Sequence, residues 1–199
     1  AKKVIDHEGL DIEILSLNDI GFNEEVEENG KTLEENSIIK AKAIKNFCDK
    51  NNINYTILSD DSGLFIKSLN NEPGIFTARY ADEEIKEDPT LPKYECVNKV
   101  LRKLDGIIDR SAQYRCVITC ITEDNEYMTV NGVTNGDITT EITDEISYPY
   151  FYLVFKPVGS NQTMNKFSDD ELYDTYRFVA LRSLLKRLAN KQEKKLRVE

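Results

Sequence analysis

Apolar and polar positions along this chain follow two different periods. From Tyr94 to Leu104, Val97, Val100, Leu101 and Leu104 recur at three- and four-residue spacing, the stripe of a buried helix face. The same period over Phe178 to about Lys194 turns Leu181, Leu184, Leu185 and Leu188 inward. Its basic tail, Lys191 to Arg197, opposes the helix macrodipole favourably and reads as a solvated helix end. Thr32 opens another helix that runs to about Asn51, and residues 2–8 read as the end of a helix. Strand-like alternation marks Asp11–Leu17, with Ile12 and Ile14 on one face. Arg115–Thr122 and Tyr127–Val133 form a predicted hairpin around Glu123-Asp-Asn-Glu126. Asn54–Leu58, Leu64–Leu69 and the aromatic run Tyr150–Phe155 are further predicted strands, Asn71-Glu-Pro-Gly74 is turn chemistry, and the acidic stretch Glu24–Gly30 reads as a solvated loop. Helices mixed with strands around a long hairpin predict an α/β or α+β fold.

Composition narrows the class. A chain of 199 residues, 40% hydrophobic and 31% charged, has the make-up of a globular domain or two small lobes. A net charge of −10 argues against nucleic-acid binding, which needs basic patches, but not against a nucleotide whose phosphates a metal ion neutralises. Cys48, Cys96, Cys116 and Cys120 form no C-x-x-C pair and sit in apolar surroundings, which predicts reduced core thiols. With no apolar run long enough to span a membrane and no secretory signal, the expected compartment is the cytoplasm. His7, the single histidine, lies near a helix end and is expected to be solvated.

The densest chemistry is Leu-Ser-Asp-Asp-Ser-Gly over residues 58–63. Two adjacent carboxylates, Asp60 and Asp61, end an apolar run; ligands of open α/β sheets bind beyond strand ends, and Mg²⁺ takes one or two carboxylates plus substrate phosphates. The same residues also make a good turn, because Asp and Ser bond their own backbone and Gly permits positive φ. Thr32-Leu-Glu-Glu35 fits a capping box, with Thr32 as cap and Glu35 reaching back to the N–H of the cap. Asn36 and Lys40, four apart on one helix face beside Glu35, are left over by that reading. A carboxylate, an amide and an ammonium near a helix N-terminus suit a metal–phosphate site.

Three blocks occur in order at close spacing: T-L-E-E-N-S-I-I-K-A over Thr32–Ala41, S-D-D-S-G-L over Ser59–Leu64 and E-P-G-I-F-T-A-R-Y-A over Glu72–Ala81. Together they resemble the inosine-triphosphate pyrophosphatase family, hydrolases of non-canonical purine nucleoside triphosphates. The resemblance implies an elongated, two-lobed α/β fold with a central cleft, spanning residues 1–199 as one domain. It also implies a homodimer that uses Mg²⁺ and water to release a nucleoside monophosphate and pyrophosphate. Carried over by motif, Glu35, Asp61 and Asp60 hold metal, and Asp61 also activates water. Ser62, Lys40 and Asn36 meet the substrate, with Arg177 on phosphate and Tyr150 stacking on the base.

Departures from the family pattern bear on substrate. Family members open with a strand and a phosphate-binding S/T-x-N-x-x-K loop; this chain begins, without Met, beyond that point. The family's Phe-Gly-Tyr-Asp loop corresponds to Tyr148-Pro-Tyr-Phe151, and its Ser-His-Arg run to Thr175-Tyr176-Arg177, with Glu171 near the place of a lysine. Two other readings therefore stand beside the enzyme: a catalytically impaired nucleotide-binding protein on the same fold, or a hydrolase of another phosphorylated metabolite. Arg79 and Tyr80, after the Pro-Gly turn, are expected to anchor a loop or subunit as readily as to touch substrate.

Overall fold

A computed structural model describes residues 2–9 and 11–196, without the side chains of residues 2, 3 and 190–196. The basic tail expected over Lys191–Arg197 therefore lies outside the described side chains. In chain order the helices are α1 (Lys2–His7), α2 (Leu33–Lys50), α3 (Asp82–Glu87), α4 (Glu95–Lys103), α5 (Asp169–Leu172) and α6 (Tyr176–Leu196). The strands are β1 (Ile57–Ile66), β2 (Pro73–Gly74), β3 (Ser111–Ile121), β4 (Tyr127–Ile138) and β5 (Phe155–Pro157). They form one five-stranded sheet in the order β2-β1-β3-β4-β5, so the expected mixed α/β class holds. β2 runs antiparallel to β1 with Leu64 opposite Gly74, and β5 antiparallel to β4 with Gly136 opposite Pro157.

Contacts divide the chain into two compact units, residues 1–61 with 116–132 and 176–199, and residues 62–115 with 133–175. In the first unit, α2 covers one sheet face. Ala41, Ile44 and Cys48 from α2 pack with Phe22, Ile57 and Ile121, and Phe22 meets Phe47 edge-on at 5.2 Å. Alternation along a strand sends Ile57, Ser59 and Asp61 to that face, and Leu58 and Asp60 to the other. The opposite face meets α6, where Gly132 of β4 passes so close to the Tyr176 carbonyl that a Cβ would collide with it. Ala180, Leu181 and Leu184 of α6 are buried, and Leu185 and Leu188 half-buried.

In the second unit, Leu64, Ile66, Ala112 and Tyr114 are buried, together with Val97 and Val100 of α4 and Phe151 and Leu153. The alternate positions, Phe65, Gln113 and Arg115, remain half-buried, with the Arg115 guanidinium 4.3 Å over the Phe65 ring. Tyr80 anchors its loop: its hydroxyl donates to Glu72, Lys99 donates to its carbonyl at 2.7 Å, and Lys103 pairs with Glu72.

Several predicted elements differ. Asp11–Leu17 forms no strand; Ile12 and Ile14 are exposed, and no strand of the described sheet pairs with the segment, so its alternation has no ladder to join. The run Tyr150–Phe155 is not a strand either. A 3₁₀ turn occupies Tyr150–Leu153, followed by the short β5. Pro149, without an N–H, cannot donate to a sheet ladder, and the aromatics after it pack by contact: Tyr152 and Phe155 both meet Tyr114 edge-on. The strands expected at Asn54–Leu58 and Leu64–Leu69 meet in one ten-residue strand, Ile57–Ile66, with residues 54–56 outside it and a 3₁₀ turn over Lys67–Leu69. Asn70 and Asn71 then take left-handed φ of 53° and 69°, in the turn the sequence indicates nearby.

Candidate active site

The carboxylate doublet does not sit in a turn. Asp60 and Asp61 lie in the middle of β1, and the glycine of D-D-S-G serves pairing: a Cβ on Gly63 would collide with the Gly74 carbonyl on the neighbouring strand. The site is therefore built on extended backbone, with consecutive carboxylates on opposite faces.

On the α2 face, Asp61 meets two residues one helical turn apart. Asn36 Nδ2 donates to its Oδ2 at 3.3 Å, and the Lys40 ammonium donates to its Oδ1 at 3.0 Å. Lys40 is shared, lying 3.4 Å from Glu28 Oε2. Burial pushes the Asp61 carboxyl above its ordinary range, and the Lys40 charge and the Asn36 amide hold it down only in part.

The helix is registered on the strand by a buried polar trio that the sequence reading missed. The Ser37 hydroxyl, with one proton to donate, lies 3.1 Å from the Ser59 carbonyl and 2.8 Å from Thr119 Oγ1, while the Ser59 hydroxyl donates to the Ser37 carbonyl at 2.6 Å. All three residues are buried. The signal was present as a polar residue at each inward position of an apolar pattern. It fixes the Asn36 end of α2 beside Asp61.

At the start of α2, Thr32 caps the helix as expected, accepting from the Glu35 N–H at 3.1 Å. The reciprocal bond is shifted by one residue: Glu35 accepts from the N–H of Lys31, not of Thr32, so the capping box is incomplete. The acidic stretch before it is not merely solvated. Gly30 donates to Asn36 Oδ1 at 2.9 Å, Glu28 pairs with Lys40, and Val26 packs on the core of the unit. A Cβ on Gly30 would sit 2.6 Å from Asn36 Oδ1, so this position needs glycine.

On the opposite face, Asp60 pairs with Arg177 Nε at 3.2 Å, and the Cys116 thiol lies 3.9 Å from its Oδ2. Burial, reinforced by the Asp60 charge, pushes Cys116 up to about 12. All four cysteines are free and buried, as expected. The expected metal trio of Glu35, Asp60 and Asp61 is thus not assembled. Asp60 faces away from Asp61, and among the described residues no three acidic, histidine or cysteine side chains converge. Asn36 is fully buried, with both ends of its amide bonded within the chain. Glu35 and Asp61 remain, hard-oxygen donors from the first turn of α2 and from β1, and this donor set fits a Mg²⁺ ion completed by phosphates and water.

Ser62 and Tyr150 belong to the second unit. Ser62 is half-buried on β1, and Tyr150 stands edge-on to an exposed Tyr148 at 5.5 Å. There Glu171 closes a capping box with Ser168 and accepts from Gln162 at 3.1 Å, so its carboxylate is committed to local structure. No described helix is long and apolar enough to cross a membrane.

A model of the Ham1 family matches residues 1–187. A Bacillus subtilis protein named dITP/XTP pyrophosphatase is 36% identical over 190 residues, covering 94% of this chain and 89% of its own length. A Clostridium perfringens protein of the same name is 33% identical over 178 residues, covering 88% and 84%. Among solved structures, the Staphylococcus aureus Ham1 protein superposes with a TM-score of 0.77 at 30% identity, covering 96% of this chain and 94% of its own. With the motif-bearing helix and strand joined at Asp61, and the match running through nearly the whole chain, this protein belongs to the Ham1 family, the inosine-triphosphate pyrophosphatase-like group that its three motif blocks resemble.

Proposed function

We propose that this chain is a Mg²⁺-dependent nucleoside triphosphate pyrophosphatase, a hydrolase that converts a non-canonical purine triphosphate to the monophosphate and pyrophosphate. The observation that carries the proposal is the half-buried Asp61 carboxylate held between Lys40 and Asn36 in a chain of this family. The names of the Bacillus and Clostridium relatives supply the substrate class, deoxyinosine and xanthosine triphosphates. Glu35 and Asp61 would hold the metal. When bound, the ion polarises phosphoryl oxygens and neutralises charge that develops on them.

The residues of the chain then do the following. Asp61 orients the attacking water and accepts its proton, a role that suits a carboxylate raised above its usual range. The water oxygen bonds to the α-phosphorus as the bond to the bridging oxygen breaks, and the pair of electrons leaves with pyrophosphate. Lys40, already near two carboxylates, offsets phosphate charge, as does the half-exposed Arg177. Ser62 and Tyr150 stay as proposed nucleotide contacts on the family resemblance alone. A homodimer working in the cytoplasm belongs to the same proposal.

Purified protein incubated with Mg²⁺ and a panel of triphosphates (inosine, deoxyinosine, xanthosine and the ordinary nucleotides) is expected to release pyrophosphate, fastest from the oxo-purines. Release from none of them would overturn the reading. Tight calorimetric binding without release would favour the non-catalytic nucleotide-binding protein.

A further inference from the structure

We infer that Asn36 is a positioning residue for Asp61: its side-chain amide ties the backbone of the acidic loop to one oxygen of the carboxylate and fixes the direction in which that carboxylate faces. The inference rests on the reaction proposed at Asp61.

Asn36 lies in the first turn of α2, and its backbone N–H, 3.1 Å from the Thr32 carbonyl, is spent in the helix. Its side chain has no exposed surface. The Gly30 N–H, 2.9 Å away, can only donate, so the amide oxygen must face Gly30. The amide nitrogen is thereby turned to Asp61 Oδ2 at 3.3 Å, and the assignment of the two amide ends follows from the network. Lys40, one turn further along the same helix, takes Oδ1 at 3.0 Å. The carboxylate is thus gripped at both oxygens by residues four apart on a helix that Ser37 locks to the strand through Ser59 and Thr119.

The two grips differ in kind. Lys40 supplies charge; Asn36 supplies direction without charge. An aspartate at position 36 would still accept from Gly30, but it would set a second carboxylate against Asp61 where an N–H now points. A buried polar group without its partner is costly, which is why the amide and no apolar residue of similar size suits this place. Gly30 completes the device, since any side chain there would press on Asn36 Oδ1.

The test uses the full chain and an exchange of the pair. Asn36→Asp, Asp61→Asn and the double variant are compared for melting temperature and for kcat and KM of pyrophosphate release. Asn36→Asp is expected to lower the melting temperature and to cut kcat at least tenfold, with KM within about threefold of wild type. The double variant restores a carboxylate–amide contact with its ends exchanged; it is expected to regain the lost melting temperature without regaining kcat. Should Asn36→Asp not fold, Asn36→Ser, whose hydroxyl stops short of Asp61, carries the same expectation for kcat. A kcat within twofold of wild type in the folded single variant, or melting effects that simply add in the double, would overturn the inference. A wild type that releases no pyrophosphate defeats the proposed reaction instead, while the melting-temperature cycle still decides whether the contact exists.

Discussion

Replacing Lys40 by Met keeps most of the aliphatic stem and removes the ammonium between Asp61 and Glu28. At 3.0 Å and an effective dielectric of about 20, the Coulomb attraction to Asp61 is about 5–6 kcal/mol before desolvation. Exposed pairs are worth at most ~1 kcal/mol, whereas breaking a fully buried pair costs about 3–5 kcal/mol. Both side chains keep some exposure, 22% for Lys40 and 13% for Asp61, which puts the net loss at about 1–3 kcal/mol. The pH dependence has a definite sign. Burial already raises the folded-state pKa of Asp61, so this carboxylate opposes folding at neutral pH and ceases to do so below its unfolded value. Without Lys40 the folded pKa rises further. The destabilisation is therefore full at pH 7.5 and shrinks as pH falls through the raised value toward the unfolded one. Urea unfolding of both proteins from pH 7.5 down to about pH 4, near the unfolded carboxylate value, measures it. A difference under ~0.5 kcal/mol, or one of constant size across that range, would refute the assignment of Lys40 as the charge partner of a buried Asp61.

Three further outcomes follow from the geometry. Asp61→Asn removes the proton acceptor but keeps size and strand position, so turnover at saturating Mg²⁺ should fall by about 10²–10⁴ in a protein that still folds; unchanged turnover would mean that another residue activates the water. Ser37→Ala leaves Thr119 and the Ser59 carbonyl short of a partner inside the core and should cost about 1–3 kcal/mol in denaturant unfolding, against no measurable loss if the trio is incidental. Cys116, buried and held up to about 12, should resist iodoacetamide in the native protein at pH 8 and react once urea unfolds it; fast native labelling would contradict its burial between the strand and α6.

Much of this arrangement was legible where one period dominated. The helices around Leu33–Lys50, Glu95–Lys103 and Tyr176–Leu196, and the central hairpin, follow directly from 3.6- and 2-residue patterns. Reading failed where a local signal competed with tertiary pairing. D-D-S-G has turn chemistry, yet it lies inside β1, whose next residues Leu64 and Phe65 pair with Gly74 and Pro73, and Gly63 is required for close approach to that neighbour, not for a bend. Asp11–Leu17 has strand alternation but no partner strand in the described sheet, and periodicity cannot report whether a partner exists. The incomplete capping box shows the limit of motif spacing: Glu35 was expected one residue from where its bond falls, a shift of one N–H that spacing does not resolve.

The doublet Asp60-Asp61 illustrates how a strand changes the meaning of adjacency. In a loop, neighbouring carboxylates can converge on one ion; in a strand they are driven to opposite faces, so they cannot share a ligand and must serve different partners. Here one face gives Asp61 to Asn36 and Lys40 of α2, and the other gives Asp60 to Arg177 at the start of α6. The same parity runs through β3, where Thr119 joins the Ser37 network and Cys116, three residues earlier, approaches Asp60. Neutralising Asp60 should then act on Arg177 and leave the Asp61 grip untouched, whereas neutralising Asp61 should act on α2. The two carboxylates that look equivalent in the sequence are separated by the sheet itself, and only one of them is left facing the helix whose first turn carries Glu35.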